Sequence, residues 1–376
     1  MRITTTALLA TCVVLAACNK PETKPNDGKV AEARTDAKPA TGAVADPTTP
    51  ATPTAATLVP GTADKLIPAD AALLAHIDMK GLSGSPLWAA NKALMDADPE
   101  VKKQMDAFAA CNMPFNGFRT VDIGVGAEAK NIAVVATGGG IGKAENLRCL
   151  QDKLKDNQWK LEDVAGGKPR LVFDSGEAFG YLFDDDTLAI ATKAWDGQVT
   201  SLMAGKGTSV RDGGLKDVLA QADQSKHVWF AGNLPPQLAA IATAQPGMSG
   251  MAGLKSVAGS LDLSAGLGLV LAFGMENADR AKTSLAEVQK QFASVKPMAG
   301  MLGIPMTAVD KVTFAARDAA VTMTASLTMD EINAMSSAMK AGPGAGSMPT
   351  GTAPTDGSKI GTSNEKGARP TPATDM

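Results

Sequence analysis

The chain has 376 residues, of which 44% are hydrophobic, 4% aromatic and 20% charged, with a net charge of -3. That balance offers no basic surface for nucleic acid or for an anionic bilayer. One tyrosine and four tryptophans are a thin supply of stacking platforms for bases or sugars, while the apolar content is ample for a globular core.

Arg2 precedes an apolar run over residues 7–17 that closes on Leu15-Ala16-Ala17-Cys18. The run is too short to cross a bilayer as a helix, which takes about 20 residues. Its charged start, apolar middle and small-residue end fit a removed export signal over residues 1–17. The Leu-Ala-Ala-Cys ending resembles the lipobox of bacterial lipoprotein signal peptides. That resemblance implies cleavage before Cys18, a diacylglyceryl group on the Cys18 sulfur and palmitate-type acylation of the new N-terminus. The membrane would then be held through lipid alone, and firmly, because each buried CH2 of several chains adds about 0.8 kcal/mol. Asn19 follows, where an Asp commonly favours inner-membrane retention. The resemblance therefore implies a cell-envelope address, at the outer rather than the inner membrane.

Residues 18–63 are rich in Pro, Thr and Ala and contain no aromatic residue. Such a segment buries too little apolar area to offset the entropy of ordering, so a disordered tether is expected. Residues 341–376, rich in Gly, Pro, Thr and Ser, are expected to form a disordered tail. The folded body lies between them, as one half over 64–205 and a second over 206–340.

In the first half, residues 73–78 read as a buried strand, followed by a turn over 81–86. Pro86 suits the first turn of a helix, and the apolar spacing carries one or two helices to Phe108. Residues 118–126 and 131–138 read as two strands joined by a short polar turn, and 143–154 as a helix. Alternation marks strands at 159–164, 170–174, 179–184 and 187–192, and a short helix follows at 195–203. In the second half, 227–231 is a strand, and Pro235 and Pro236 open a helix to Ile241. A hairpin over 254–263 and 266–274, a helix at 277–292, a hairpin over 309–317 and 319–327 and a helix at 330–339 complete the chain.

The two halves share this order. Phe118 to Asp122 answers to Leu254 to Ala258, and residues 131–138 answer to 267–274, at the same offset of 136. Antiparallel hairpins with helices collected on one face define the expected fold class, α+β, built as two similar sheet-plus-helix halves.

With Cys12 in the signal and Cys18 at the lipid site, Cys111 and Cys149 remain, in a compartment where disulfides persist. Pairing across the two helices is expected; two free buried thiols are the alternative.

Catalytic and nucleotide motifs are incomplete in this sequence. Gly138-Gly139-Gly140-Ile141-Gly142-Lys143 lies between a strand and a helix, but a phosphate loop needs Gly at 137 and Ser or Thr at 144, where Thr137 and Ala144 stand. A flexible turn is expected there. His76 and His227, the chain's two histidines, fall at strand starts in different halves and read as structural. No H-E-x-x-H or G-x-S-x-G occurs, so no metal, no cofactor and no catalytic residue is assigned. Asp184-Asp185-Asp186 reads as a solvated hairpin tip, since the spacing and Gly of a calcium loop are missing.

The methionines stand apart. Met248 and Met251 lie in one Gly/Ala-rich segment, and Met298, Met301 and Met306 in another. Unbranched thioether side chains fill irregular apolar space and also line adaptable binding surfaces. These five are the candidate ligand-binding residues. The expectation is a membrane-anchored envelope lipoprotein, non-enzymatic, binding a partner protein or a lipid-like apolar ligand and no nucleic acid. The competing expectation is an envelope hydrolase working through paired carboxylates, one with a raised pKa.

Overall fold

The structure, a computed structural model, describes residues 63–154, 158–165, 167–235, 251–302 and 304–341. Cys18, the expected signal peptide, the tether up to residue 62, the tail from 342 and most of the helix expected after Pro235 lie outside the described residues.

Among the described residues twelve strands carry the body: β1 (Ala71–Asp78), β2 (Phe118–Gly126), β3 (Ile132–Gly138), β4 (Trp159–Glu162), β5 (Arg170–Phe173), β6 (Ala178–Asp184), β7 (Thr187–Thr192), β8 (Val228–Asn233), β9 (Leu254–Asp262), β10 (Gly266–Met275), β11 (Thr313–Arg317) and β12 (Ala320–Thr328). They form one sheet in the order β11-β12-β10-β9-β8-β1-β2-β3-β7-β6-β5-β4. The neighbours throughout are antiparallel. The seam is β1 against β8, from Leu73 opposite Gly232 to Ile77 opposite Val228. Outward from it, one side reads β2, β3, β7, β6 and the other β9, β10, β12, β11. The two halves thus share a strand order, and the hairpin β4–β5 extends the first alone. They are continuous through backbone hydrogen bonds at the seam rather than separate bodies.

The helices follow local capping chemistry. The turn expected over 81–86 is instead helix α1 (Met79–Gly84), because the Asp78 side chain accepts the Gly81 N–H. The long apolar pattern after it is two helices, α2 (Pro86–Ala97) and α3 (Pro99–Ala110). Each has Pro in its first turn, and they are capped by Ser85 and Asp98. Further along lie α4 (Ala144–Lys153), α5 (Asp196–Met203), the one-turn α6 (Lys216–Leu219), α7 (Ala278–Val295), the one-turn α8 (Met306–Val309) and α9 (Met329–Ala341). Ala63, the last residue of the expected tether, begins a 3-10 turn, Ala63–Leu66, and is buried.

Side chains alternate between the two faces of the sheet. One face meets α1 to α4 over the first half and α7 to α9 over the second. Val121, Val134 and Leu188 lie there beside Leu147 and Leu150 of α4, and Val321 lies there beside Ala281 of α7. The opposite face is covered by the Ala63–Leu66 turn, α5 and α6, around the buried Trp195 and Trp229. Helices therefore occupy both faces, not one. The second face carries its own apolar set, Leu74, Val135 and Ala189, which needs cover as much as the first does. Cys111, at the end of α3, is disulfide-bonded to Cys149 of α4, with Cα atoms 5.5 Å apart.

Candidate functional site

Beyond the seam, the second half carries a contiguous apolar floor. Strand β10 alternates Leu267, Leu269, Leu271 and Phe273 onto the side that α7 covers, and β12 places Ala325 opposite Leu269 and Leu327 opposite Leu267. Helix α7 begins where Asn277 accepts the Arg280 N–H and ends in the 3-10 turn Lys296–Leu302. Its Phe292 packs edge-on against Phe314 of β11, with ring centroids 5.3 Å apart.

Between floor and helices lies a cavity of about 470 Å³. Leu267, Leu269, Ala325 and Leu327 form its base, Phe292 and Val295 its wall. Met298, Ala299, Ile304, Ala308, Val309 and Met335 close over it. Lys296 is the one charged side chain among the described lining residues. At its edge Val295 is 54% and Met298 50% exposed, beside the partly exposed Lys296, while Met306, at the start of α8, is 43% exposed outside the lining.

Two ion pairs run between the covering elements. Lys296 Nζ lies 2.6 Å from Asp310 Oδ1, tying the end of α7 to the residue after α8. Lys311 Nζ donates to both carboxylate oxygens of Glu331 at 2.8 Å. Glu331 in turn accepts the Thr328 N–H, while Thr328 Oγ1 accepts the Glu331 N–H, a reciprocal box at the start of α9. The Lys311 ammonium, with the Thr328 amide, holds the Glu331 carboxyl down to about 2.

Of the five candidate methionines, the structure brings Met298 into the lining and Met306 to the exposed surface of α8. Met251 packs instead beside Leu254 and Met275 at the root of β9. Met248 lies outside the described residues, and of Met301 only the backbone is described. The methionine pattern passed over Phe292, Val295, Lys296 and Met335. The readable signals for these were the Leu-x-Leu-x-Leu alternation of β10 and the apolar stripe along α7 at 281, 285, 288, 292 and 295.

The opposite face holds a polar cluster at the seam. His76 Nδ1 lies 2.7 Å from Asp122 Oδ1, and the imidazole stacks on Trp229 with centroids 5.0 Å apart. Arg211 also lies over the Trp229 ring, 5.7 Å from its centroid, pairs with Asp64 and donates to Gln224. Burial raises the Asp64 pKa, against the pull of Arg211, and Asp64 Oδ1 has no hydrogen-bond partner among the described residues. Asp64 and Asp122 are thus carboxylates in one cluster, one of them raised. Their side chains are only 3% and 2% exposed, and each is committed to a cation or imidazole. His227 Nδ1 accepts the Leu263 N–H at 3.1 Å. Among the described residues, no group of three His, Cys, Asp or Glu is arranged to hold a metal ion.

The glycine run and the aspartate run meet. Gly138, Gly139 and Gly140 all have positive φ, and Gly140 donates its N–H to Asp186 Oδ1 at 2.9 Å. Gly138 N–H goes to the Asp186 carbonyl, Gly142 N–H to that of Asp185, and Arg119 pairs with the Asp186 carboxylate. The expected flexible turn and the aspartate tip are therefore joined as one latch, with the Asp186 carboxylate on the Gly140 N–H and the Gly138 and Gly142 N–H groups on main-chain carbonyls.

Among the described residues, no helix is long and apolar enough to cross a membrane. No family model matches the chain, and no curated protein matches it. Crystal form III of TP0453 is similar at a TM-score of 0.47 with 6% identity, over 73% of this chain and 97% of that one. Crystal form I gives 0.43 with 9% identity, over 76% and 98%. Similarity at this level carries no inference about function.

Proposed function

We propose that this chain is an envelope lipoprotein, anchored through acyl chains on Cys18, that binds a lipid-like apolar ligand in the cavity under α7, α8 and α9. The observation that carries the reading is that cavity: about 470 Å³, lined mostly by apolar side chains with one charged residue among those described, and with the exposed Val295 and Met298 at its edge. Binding sites for small molecules span roughly 300–1,000 Å³ and are mostly apolar. An apolar cavity of roughly 150 Å³ already takes up benzene. The Pro-, Thr- and Ala-rich tether expected over residues 18–63 would suit a body that works at some distance from its anchor, and Asn19 after the anchor favours the outer membrane. The polar cluster at the seam supports no hydrolase, since both carboxylates are enclosed and already partnered.

Two measurements test the two parts. Radiolabelled palmitate should enter the wild-type protein and not Cys18→Ser. Delipidated protein should bind a fluorescent long-chain probe at one saturable site, and Ala325→Trp, which fills the cavity floor, should weaken that binding by about tenfold or more. Probe binding that Ala325→Trp leaves intact would remove the cavity from the account.

A further inference from the structure

The cavity has a polar end. Lys296 sits at the junction of α7 with the 3-10 turn, between the exposed Val295 and Met298 and beside the apolar base. We propose that the ligand is a single-chain anionic amphiphile, a long-chain carboxylate, whose head binds Lys296 Nζ at the mouth while its chain lies over Leu267, Leu269 and Leu327. This rests on the reading of the cavity as a ligand site and adds the class of ligand.

Three observations carry it. First, volume suits one chain. With each methylene taken as about the size of a water molecule, ~30 Å³ in the liquid, 470 Å³ holds on the order of fifteen carbons. Second, charge selects the head. Lys296 is the lone charge among the described lining residues, and a cationic head would meet its ammonium at the entrance. Third, the ammonium is available. Its present partner Asp310 is 60% exposed and Lys296 itself 38%, and exposed pairs of this kind contribute little. An ammonium has three donors, so a carboxylate can join Asp310 or replace it.

The test is competition for the fluorescent probe on delipidated full-length mature protein, with palmitate and hexadecanol as competitors. These share a chain and differ in head charge. Wild type should favour palmitate by about fivefold. Lys296→Met should bring the ratio to about one, Lys296→Arg should keep it, and Asp310→Asn should widen it by freeing the ammonium. Equal affinity for the two competitors in wild type, or a ratio unmoved in Lys296→Met, overturns the assignment while leaving the cavity as an apolar site. Failure of both competitors to displace the probe instead brings down the reading on which it stands.

Discussion

Asp186 Oδ1 accepts the backbone N–H of Gly140 at 2.9 Å across 46 residues of sequence. It thereby latches the loop before α4 onto the β6–β7 turn. The same carboxylate pairs with Arg119 of β2. Asp186→Ala should destabilise the protein by about 1–2 kcal/mol, since a charge-assisted bond and an exposed ion pair are lost together. Gly142→Ala should cost more, because a Cβ there would meet the Asp184 carbonyl oxygen at 1.7 Å, and backbone has to shift. Urea unfolding midpoints of the two variants check the order.

Arg211 and Asp64 give a second prediction. The Asp64 carboxyl is almost fully enclosed, so Arg211→Met leaves a buried charge without its cation and should cost about 3 kcal/mol. Asp64→Leu combined with Arg211→Met removes both charges and should cost clearly less than the single change. The pH dependence follows from the raised Asp64 pKa. A raised carboxyl binds its proton more tightly folded than unfolded. Its contribution is therefore present below the ordinary pKa of 3.8 and is lost as pH rises through the higher folded value. Stability measured across that window should fall with rising pH in wild type and lose this component in the double variant.

Glu331 runs the other way. Its pKa is held down to about 2 by Lys311 and the Thr328 amide, so its contribution is present above the ordinary 4.5 and is lost as pH falls toward 2. Thermal midpoints of wild type should drop across that interval, and Glu331→Gln should lack the drop.

The bond between Cys111 and Cys149 closes a separation of 38 residues, which the chain-entropy model values at about 4 kcal/mol. Reduction, or Cys111→Ala with Cys149→Ala, should lower the guanidinium midpoint accordingly. Two titratable thiols in the denatured, unreduced protein would contradict the pairing.

Much of the sheet was legible because its signals are local. Phe118–Gly126 and Thr187–Thr192 announce themselves by period-two apolar residues between turn formers, and the structure has strands at those bounds. The matching order of the halves was readable from the shared offset of residues 118 and 254 and of 131 and 267. The seam was not, since β1 and β8 pair across a long separation that no local pattern encodes. Helix α1 was missed because one capping aspartate, Asp78, outweighs a glycine- and serine-rich stretch that otherwise spells a turn. The latch was not legible, because 46 residues separate Gly140 from Asp186 and only the fold brings them together. Methionine content pointed to the second half, but the cavity takes its shape from leucines of β10, the end of α7 and Met335 of α9. Those residues become neighbours only once β12 lies beside β10.

The most direct test of the central claim is the titration of delipidated protein with the fluorescent long-chain probe, in wild type and Ala325→Trp side by side. The account predicts one saturable site in wild type and binding weakened by about tenfold or more once the tryptophan occupies the floor. Equal binding by the two proteins, or none by wild type, would contradict it.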